Sequence, residues 1–240
     1  QIVAQNPTGI GISCCNGDGF VEAINSAIDA GVPVIGFDSD SPNSKRLTFL
    51  CVDNQVAGYE AGKKTVEVMK TGKIAVLERV GQEALDKRVK GFKQAIEDSA
   101  GAMEVVASAD AGGDEAKAAT AVASMIQANP DLAVVFASTG IESIGAATAV
   151  KESGKDIKIV SFDADKPVLD LIKEGTIIFS LYENTWSMGF WTMTMLYDVA
   201  HGLVNPPTGW KEAGRSPLPP YVNTGINIID KANADLFYIK

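Results

Sequence analysis

Short apolar runs alternate with amphipathic stretches along most of the chain, and this alternation predicts its secondary structure. Runs rich in Val, Ile, Leu and Phe predict strands at residues 9–13, 33–37, 47–52, 73–77, 103–107, 133–137, 157–162, 176–181 and 225–229. Intervening stretches predict helices at residues 18–30, 55–70, 84–99, 114–128, 141–153, 167–173 and 185–202. Strands that alternate with helices of this length are typical of βαβ units. The pattern therefore predicts an α/β fold with mainly parallel sheets.

One sequence pattern, Phe-Asp-x-Asp-x-Pro, occurs twice, each time at the end of a predicted strand. The copies occupy residues 37–42 and 162–167. The carboxyl ends of parallel strands lie at the edge of the sheet where α/β proteins bind ligands. Asp38 and Asp163 are therefore predicted to lie at two such edges. Two copies of one strand end indicate two similar lobes that face a shared cleft.

Composition and charge narrow the classes of partner. The 240 residues carry a formal net charge of −9, and this surplus of acid disfavours nucleic acid and anionic membrane as partners. Hydrophobic residues make up 46% and charged residues 21%, as is usual for a globular protein of one large domain or two modest ones. No apolar run is long enough to span a bilayer, so membrane insertion is not predicted.

Cysteine and histidine usage argues against a structural metal site and against catalysis. The chain has three cysteines, Cys14, Cys15 and Cys51, and one histidine, His201, without a Cys-x-x-Cys motif. Cys14 and Cys51 are predicted to be small buried residues, and a disulfide that uses Cys51 is the alternative. No nucleophile motif accompanies His201, and neither a complete dinucleotide fingerprint nor a P-loop is present. We therefore predict no metal, no cofactor and no enzymatic activity.

Four short segments, in this order, resemble the ribose-type periplasmic sugar-binding proteins, which are the solute receptors of sugar ABC transporters. They read VIGFDSD at 34–40, VDNQVAG at 52–58, RVKGF at 88–92 and VSFD at 160–163. The resemblance extends over essentially the whole chain. It implies the type I periplasmic binding fold, in which two doubly wound parallel-sheet lobes are joined by three crossovers. The implied lobes are residues 1–52 plus 185–225 and residues 53–184 plus 226–240.

The resemblance also implies that the first lobe is incomplete. The family has a strand, a helix, a second strand and a second helix before the segment that matches residues 9–13. The first of those strands lies inside the sheet, so its absence would expose a strand edge and part of the apolar core. It would also remove a loop that contacts ligand, so weak or absent binding is expected from these 240 residues alone. We expect them to be a fragment, a truncated product or the ordered part of a longer polypeptide.

Six positions match ligand-binding positions of the family. Strand-end aspartates would accept hydrogen bonds from sugar hydroxyls, and an arginine would donate to ring or hydroxyl oxygens. The implied set is Asp38, Ser39, Arg88, Thr139, Asp163 and Glu183. Three alternatives are open: the aspartates cap the segments that follow them, Arg88 lies on a solvated helix face, and Glu183 pairs with a cation at a hinge.

Four positions depart from the ribose receptors. Ser39 replaces an arginine, Thr139 an asparagine and Glu183 a glutamine, and Gly113 stands where an aromatic wall is expected. With one arginine against three carboxylates, the pocket is expected to be negative, to favour polyhydroxy or cationic ligands and to reject acidic sugars. Ribose is therefore not the expected ligand. The Trp and Met residues between 186 and 195 are expected to form helix core, with stacking of Trp186 on a sugar as the alternative.

The function implied by the resemblance is capture of a sugar or polyol in the interlobe cleft by hinge closure. The closed form would then dock on the membrane permease of an ABC importer. Such a receptor would be periplasmic or extracellular, with a lipid anchor if the source is Gram-positive. The alternative is the effector-sensing core of a lactose-repressor-type transcription regulator, which has the same fold, and the acidic charge favours the receptor.

Overall fold

The computed structural model describes residues 1–206, 208–210 and 213–238. Contacts between residues divide the chain into two units, and each unit is assembled from two segments. The first unit comprises Gln1–Val52 and Glu183–Gly225, and the second comprises Asp53–Tyr182 and Ile226–Lys240. Pro207, Lys211, Glu212 and the last two residues lie outside the described part of the chain.

The described residues form ten strands and seven α-helices, and each predicted element has a counterpart within a few residues. The strands are β1 (Ile10–Ile12), β2 (Val34–Phe37), β3 (Phe49–Cys51), β4 (Gly72–Glu78), β5 (Met103–Asp110), β6 (Leu132–Ala137), β7 (Lys158–Phe162), β8 (Ile177–Tyr182), β9 (Val222–Asn223) and β10 (Asn227–Asp230). The helices are α1 (Val21–Asp29), α2 (Asn54–Met69), α3 (Glu83–Glu97), α4 (Glu115–Ala128), α5 (Gly140–Ser153), α6 (Lys166–Glu174) and α7 (Thr185–Ala200). The apolar pattern does not predict β9, which has only two residues. Among the described residues, no helix is long and apolar enough to cross a membrane.

The first unit contains a four-stranded parallel sheet in the order β1-β2-β3-β9. On it, α7 buries Leu196 against a cluster that includes Ile35 and Leu50. Cys14 and Cys51 are buried, as predicted, and Cys15 is exposed; none of the three forms a disulfide. Strand β1 lies at one end of the strand order, so within the described residues one of its edges has no strand partner.

Helix α7 carries an exposed apolar face, so the expectation that its Trp and Met residues form core is confirmed for Met188, which is buried, and wrong for the residues of this face. Trp186 is 71% exposed and Met193 is 64% exposed. Phe190 and Tyr197 are also exposed, and they line a groove of about 950 Å³ with Thr8 and Gly9. The helix is apolar on more than one face, and burial on the sheet uses only the face that carries Met188, Thr192 and Leu196.

The second unit contains a six-stranded sheet in the order β10-β8-β7-β6-β4-β5. Strand β10 pairs antiparallel with β8, and the other neighbouring strands are parallel. The carboxyl ends of β4 to β8 therefore lie along one edge of the sheet, which we call the carboxyl edge of the second unit. Its core packs α4, α5 and α6 against apolar strand residues such as Val135 and Ile159. Both units are thus α/β with mainly parallel sheets, as predicted.

Glycines bring α2 and α3 into backbone contact. A Cβ atom on Gly58 would lie 1.9 Å from the Arg88 carbonyl oxygen, and one on Gly91 would lie 2.0 Å from the Gln55 carbonyl oxygen. Any side chain at either position would push the helices apart, because contacts this short do not occur in folded proteins. The two glycines therefore determine where α3 holds Arg88.

Candidate functional site

The two Phe-Asp-x-Asp segments have the same backbone structure. Asp38 directly follows β2 and Asp163 directly follows β7, and their φ angles are 62° and 74°. Each donates its N–H to a carbonyl of the neighbouring strand, Asp38 to Leu50 at 3.0 Å and Asp163 to Leu181 at 2.9 Å. The left-handed conformation is uncommon for residues other than glycine, although aspartate tolerates it. It turns the chain away from the sheet directly after each strand.

Two serines hold the carboxylate of Asp38. Its Oδ2 accepts hydrogen bonds from the Ser13 hydroxyl at 2.8 Å and the Ser39 hydroxyl at 3.3 Å. The Cys51 thiol donates to the Asp38 carbonyl oxygen at 3.2 Å. Asp38 is exposed, and its Oδ1 accepts no hydrogen bond from the described residues. Sequence reasoning missed Ser13, although its place directly after a strand paired with β2 is the signal that could have identified it.

Asp163 is bonded to the start of a neighbouring helix. Its Oδ2 accepts the N–H of Gly140, the first residue of α5, at 2.7 Å. The positive end of a helix dipole favours a carboxylate at this place. The Ser180 hydroxyl donates to the Asp163 carbonyl oxygen at 2.7 Å. Asp163 therefore caps α5, a helix that precedes it in sequence.

The second aspartates of the two copies differ. Asp40 forms an ion pair with Arg46, whose Nη2 donates to Oδ2 at 2.6 Å. Asp165 is exposed, and it precedes α6 without a side-chain cap hydrogen bond. The structural repeat therefore ends at the first aspartate of each copy.

Arg88 is buried, with only 5% of its surface exposed, so the hypothesis of a solvated helix face is wrong. Its Nε donates to the Asn54 side-chain oxygen at 2.7 Å, and its Nη1 donates to the Ser138 carbonyl at 3.1 Å. The guanidinium carbon lies 4.3 Å from the centre of the Phe162 ring. These hydrogen bonds and the cation–π contact offset the cost of burying the charge. They hold the cation beside the residue that precedes Asp163.

Thr139 and Glu183 also lie near strand ends. Ser138 separates Thr139 from the end of β6, and Glu183 directly follows β8. The Thr139 hydroxyl caps α5 by accepting the N–H of Glu142 at 3.4 Å. Glu183 follows β8 directly and is 5% exposed. Both lie just after the carboxyl ends of strands that pair in parallel with β7.

An arginine that sequence reasoning missed occupies the carboxyl edge of the second unit. Arg79 directly follows β4 and is half-buried. A Cβ atom on Gly113 would lie 2.7 Å from its Nη1 atom, so the guanidinium fills the space beside this glycine. Arg79 adds a second cation to the edge that carries Arg88 and Asp163, whereas sequence reasoning considered one arginine there.

Glu142 is a fully buried carboxylate in the first turn of α5. The Ser138 hydroxyl donates to its Oε2 at 2.8 Å. Its Oε1 has no hydrogen-bond partner among the described residues. Burial raises the pKa of Glu142, and the neighbouring Ser138, Thr139, Gly113 and Arg79 oppose this rise without cancelling it.

We expect Glu142→Gln to stabilise the protein at neutral pH and to have no stabilising effect in acid. A raised pKa in the folded state means that the protonated carboxyl contributes stability, which is fully present below the ordinary pKa of 4.5. That stability is lost as the pH rises through the folded-state pKa. Urea unfolding from pH 4 to 8 measures the difference between wild type and variant. The exposed Glu152→Gln on the same helix is the control, and a Glu142→Gln effect as independent of pH as the control's would contradict the prediction.

Comparisons with known proteins identify the family. A model of the periplasmic binding protein domain matches residues 1–203. The ribose import binding protein of Bacillus subtilis is 28% identical over 204 residues, which are 84% of this chain and 66% of that protein. A sugar-binding protein of a sugar ABC transporter from Bacillus halodurans superimposes with a TM-score of 0.94 at 37% identity, over 99% of this chain and 82% of that one. An arabinose-binding protein from Geobacillus stearothermophilus gives a TM-score of 0.91 at 35% identity, over 100% of this chain and 82% of that one.

The chain spans less than two thirds of the curated relatives' own length, 66% for the Bacillus subtilis protein and 58% for the ribose import binding protein of Salmonella typhimurium. The matched proteins are receptors rather than enzymes, which confirms the prediction that the chain is not an enzyme. They also confirm the predicted fold class and family. The chain therefore belongs to the periplasmic binding protein family.

Proposed function

We propose that this chain is the sugar-binding part of a receptor that serves an ABC importer, and that its ligand is a sugar or polyol. The observation that carries the proposal is the pair of equivalent strand ends, each of which presents an aspartate in the left-handed conformation. Relatives named for ribose and arabinose support the class of ligand. Carboxylates and guanidinium groups are the polar groups that suit ligands rich in hydroxyls.

The proposed site has six residues, and the roles of four of them follow from their side-chain chemistry. Asp38 offers Oδ1 as a hydrogen-bond acceptor, while Ser39 helps to orient the carboxylate through Oδ2. Asp163 would accept from a second hydroxyl, and Arg88 would donate to a ring or hydroxyl oxygen. The full proposed set is Asp38, Ser39, Arg88, Thr139, Asp163 and Glu183.

We propose hinge closure as the mechanism of capture. The chain passes between its two units at three points, after Val52, after Tyr182 and after Gly225. Three short connections are suited to hinge motion, because few backbone angles need to change. A ligand that contacts the aspartates of both units would stabilise the closed form. The closed form would then be recognised by the permease of the importer, in the periplasm or at the cell exterior, with a lipid anchor if the source is Gram-positive.

The lactose-repressor-type alternative is not favoured. The proteins named above are import binding proteins and a sugar-binding protein of a transporter. The net charge of −9 also opposes nucleic acid binding by this chain.

A thermal-shift panel of pentoses, hexoses, polyols and amino sugars on the full-length protein tests the proposal. A ligand at a hundred times its Kd stabilises the folded state by about 2.7 kcal/mol, which raises the Tm by about 5–10 °C for a protein of this size. We expect at least one sugar or polyol to give such a shift. We expect Asp163→Asn to give a smaller shift at the same sugar concentration, whereas a non-specific effect of the sugars on solvent would raise the Tm of both proteins equally. A wild type that responds to no sugar or polyol would overturn the proposal.

A further inference from the structure

The guanidinium of Arg79 has unused hydrogen-bonding capacity. It is half-buried, directly after β4, and it forms no hydrogen bond or ion pair with the described residues. A guanidinium carries five N–H donors in a rigid plane. Donors that are partly removed from water without a protein acceptor are costly, which favours a partner from outside the chain.

The guanidinium packs against Gly113, in space that a side chain at this position would occupy. A Cβ atom there would lie 2.7 Å from Nη1, 2.8 Å from Cζ and 3.1 Å from Nε of Arg79. Three atoms of one plane at nearly equal distance mean that a face of the guanidinium lies over the glycine. Any side chain at position 113 would displace Arg79. The N–H donors around the rim of the plane are then directed away from Gly113.

The surroundings place this group among the proposed ligand-binding residues. Arg79 follows β4, whose neighbours in the sheet are β5, which precedes Gly113, and β6, which precedes Thr139. Strand β7, which directly precedes Asp163, is next to β6. The buried carboxylate of Glu142 attracts Arg79 electrostatically. Arg79 is thus held at the carboxyl edge by a close packing contact and by charge.

We propose that Arg79 is a ligand-binding and specificity-determining residue whose N–H groups donate to an oxygen of the captured sugar. This inference rests on the proposed function, and it specifies which kind of ligand atom binds at this part of the site. Where the family resemblance implies an aromatic wall at position 113, this chain presents hydrogen-bond donors. The ligand is therefore recognised here by acceptor oxygens rather than by an apolar sugar face. The acceptor is a hydroxyl or ring oxygen of a neutral sugar, or the carboxylate of a sugar acid.

The test measures Kd by calorimetry for the full-length protein with the sugar that gives the largest thermal shift. We expect Arg79→Met to weaken binding about ten- to hundredfold, because it removes hydrogen bonds from a charged donor. Arg79→Lys retains the charge without the planar fork, so its loss is expected to be smaller. Urea unfolding of both variants checks that the folded state is retained.

Two glycine variants distinguish the effect of displacing Arg79 from the effect of backbone strain. Gly113→Ala introduces the clash with Arg79, at a φ of 71°. Gly112→Ala has a similar φ of 59° but nothing within 4 Å of its Cβ. We expect Gly113→Ala to weaken binding as much as Arg79→Met, the double variant to lose no more, and Gly112→Ala to bind like wild type.

Neutral aldoses and the matching uronic acids distinguish the two acceptors. A wild-type preference for the acid that disappears in Arg79→Met identifies a carboxylate partner. Tight binding of the neutral aldose that weakens in Arg79→Met identifies a hydroxyl or ring oxygen. Arg79→Met binding each sugar as well as wild type would overturn this inference and leave the proposed function intact. A wild type that binds none of them overturns both.

Discussion

Asp163→Asn in the full-length protein is expected to weaken binding of its preferred sugar by about ten- to hundredfold. The variant retains an oxygen that can accept the N–H of Gly140, which Asp163 now accepts at 2.7 Å. What it loses is the negative charge, and a hydrogen bond from a sugar hydroxyl to a neutral amide is weaker than one to a carboxylate. The folded state is therefore expected to be largely preserved while affinity falls. Calorimetric titration measures the affinity, and urea unfolding measures the stability.

Asp165→Asn is the matched control, because it makes the same chemical change two residues away. Asp165 is exposed and its side chain makes no cap hydrogen bond. We expect its Kd to equal that of wild type within a factor of about two, since surface changes of this kind have small effects. Equal losses of affinity in the two variants would show that the charge of Asp163 has no special role.

Arg88→Met is expected to lower both stability and affinity. It leaves the Asn54 side-chain oxygen and the Ser138 carbonyl without the donors they now have at 2.7 and 3.1 Å. Each buried acceptor left without a partner costs about 1–3 kcal/mol, so for two acceptors a loss of about 2–6 kcal/mol in the free energy of unfolding is expected. We expect sugar affinity to fall at least about tenfold as well, because a charged donor is lost. Urea unfolding and calorimetry measure the two effects.

Lys87→Met tests whether the expected losses of stability and affinity are specific to Arg88. Lys87 precedes Arg88 on α3, but it is exposed and pairs with Glu83 at 2.6 Å. A surface pair one helical turn apart is worth about 0.3–0.5 kcal/mol, so a small loss of stability and an unchanged Kd are expected. If Arg88→Met were no more harmful than Lys87→Met, the buried network around Arg88 would have no role in stability or binding.

The hydrophobic pattern of the sequence predicts the secondary structure, and the residues at strand ends predict part of the candidate site. The alternation of apolar runs predicts the strands and helices, because burial on a sheet imposes a local pattern on the sequence. The repeated Phe-Asp-x-Asp predicts two equivalent strand ends, and Asp38 and Asp163 indeed share one backbone structure. These features can be predicted from the sequence because each depends on residues that are close together along the chain.

The features that sequence reasoning missed depend on contacts between distant segments. Arg79 and Gly113 are in contact because β4 and β5 are neighbours in the sheet. No sequence pattern near either residue indicates this contact. The burial of Arg88 likewise depends on Gly58, which lets α2 approach α3 at backbone distance. Trp186 shows the opposite case, in which an apolar residue expected in the core is 71% exposed. Composition reports that a helix is apolar, but not how much of its surface finds a partner.

The central claim is that one sugar is held by the aspartates of both strand ends. A crystal structure of the full-length protein with the sugar that gives the largest thermal shift tests it most directly. The predicted result is that a carboxylate oxygen of Asp38 and one of Asp163 each lie within about 3 Å of a ligand hydroxyl oxygen. A sugar bound without contact to either aspartate, or to only one of them, would contradict the claim.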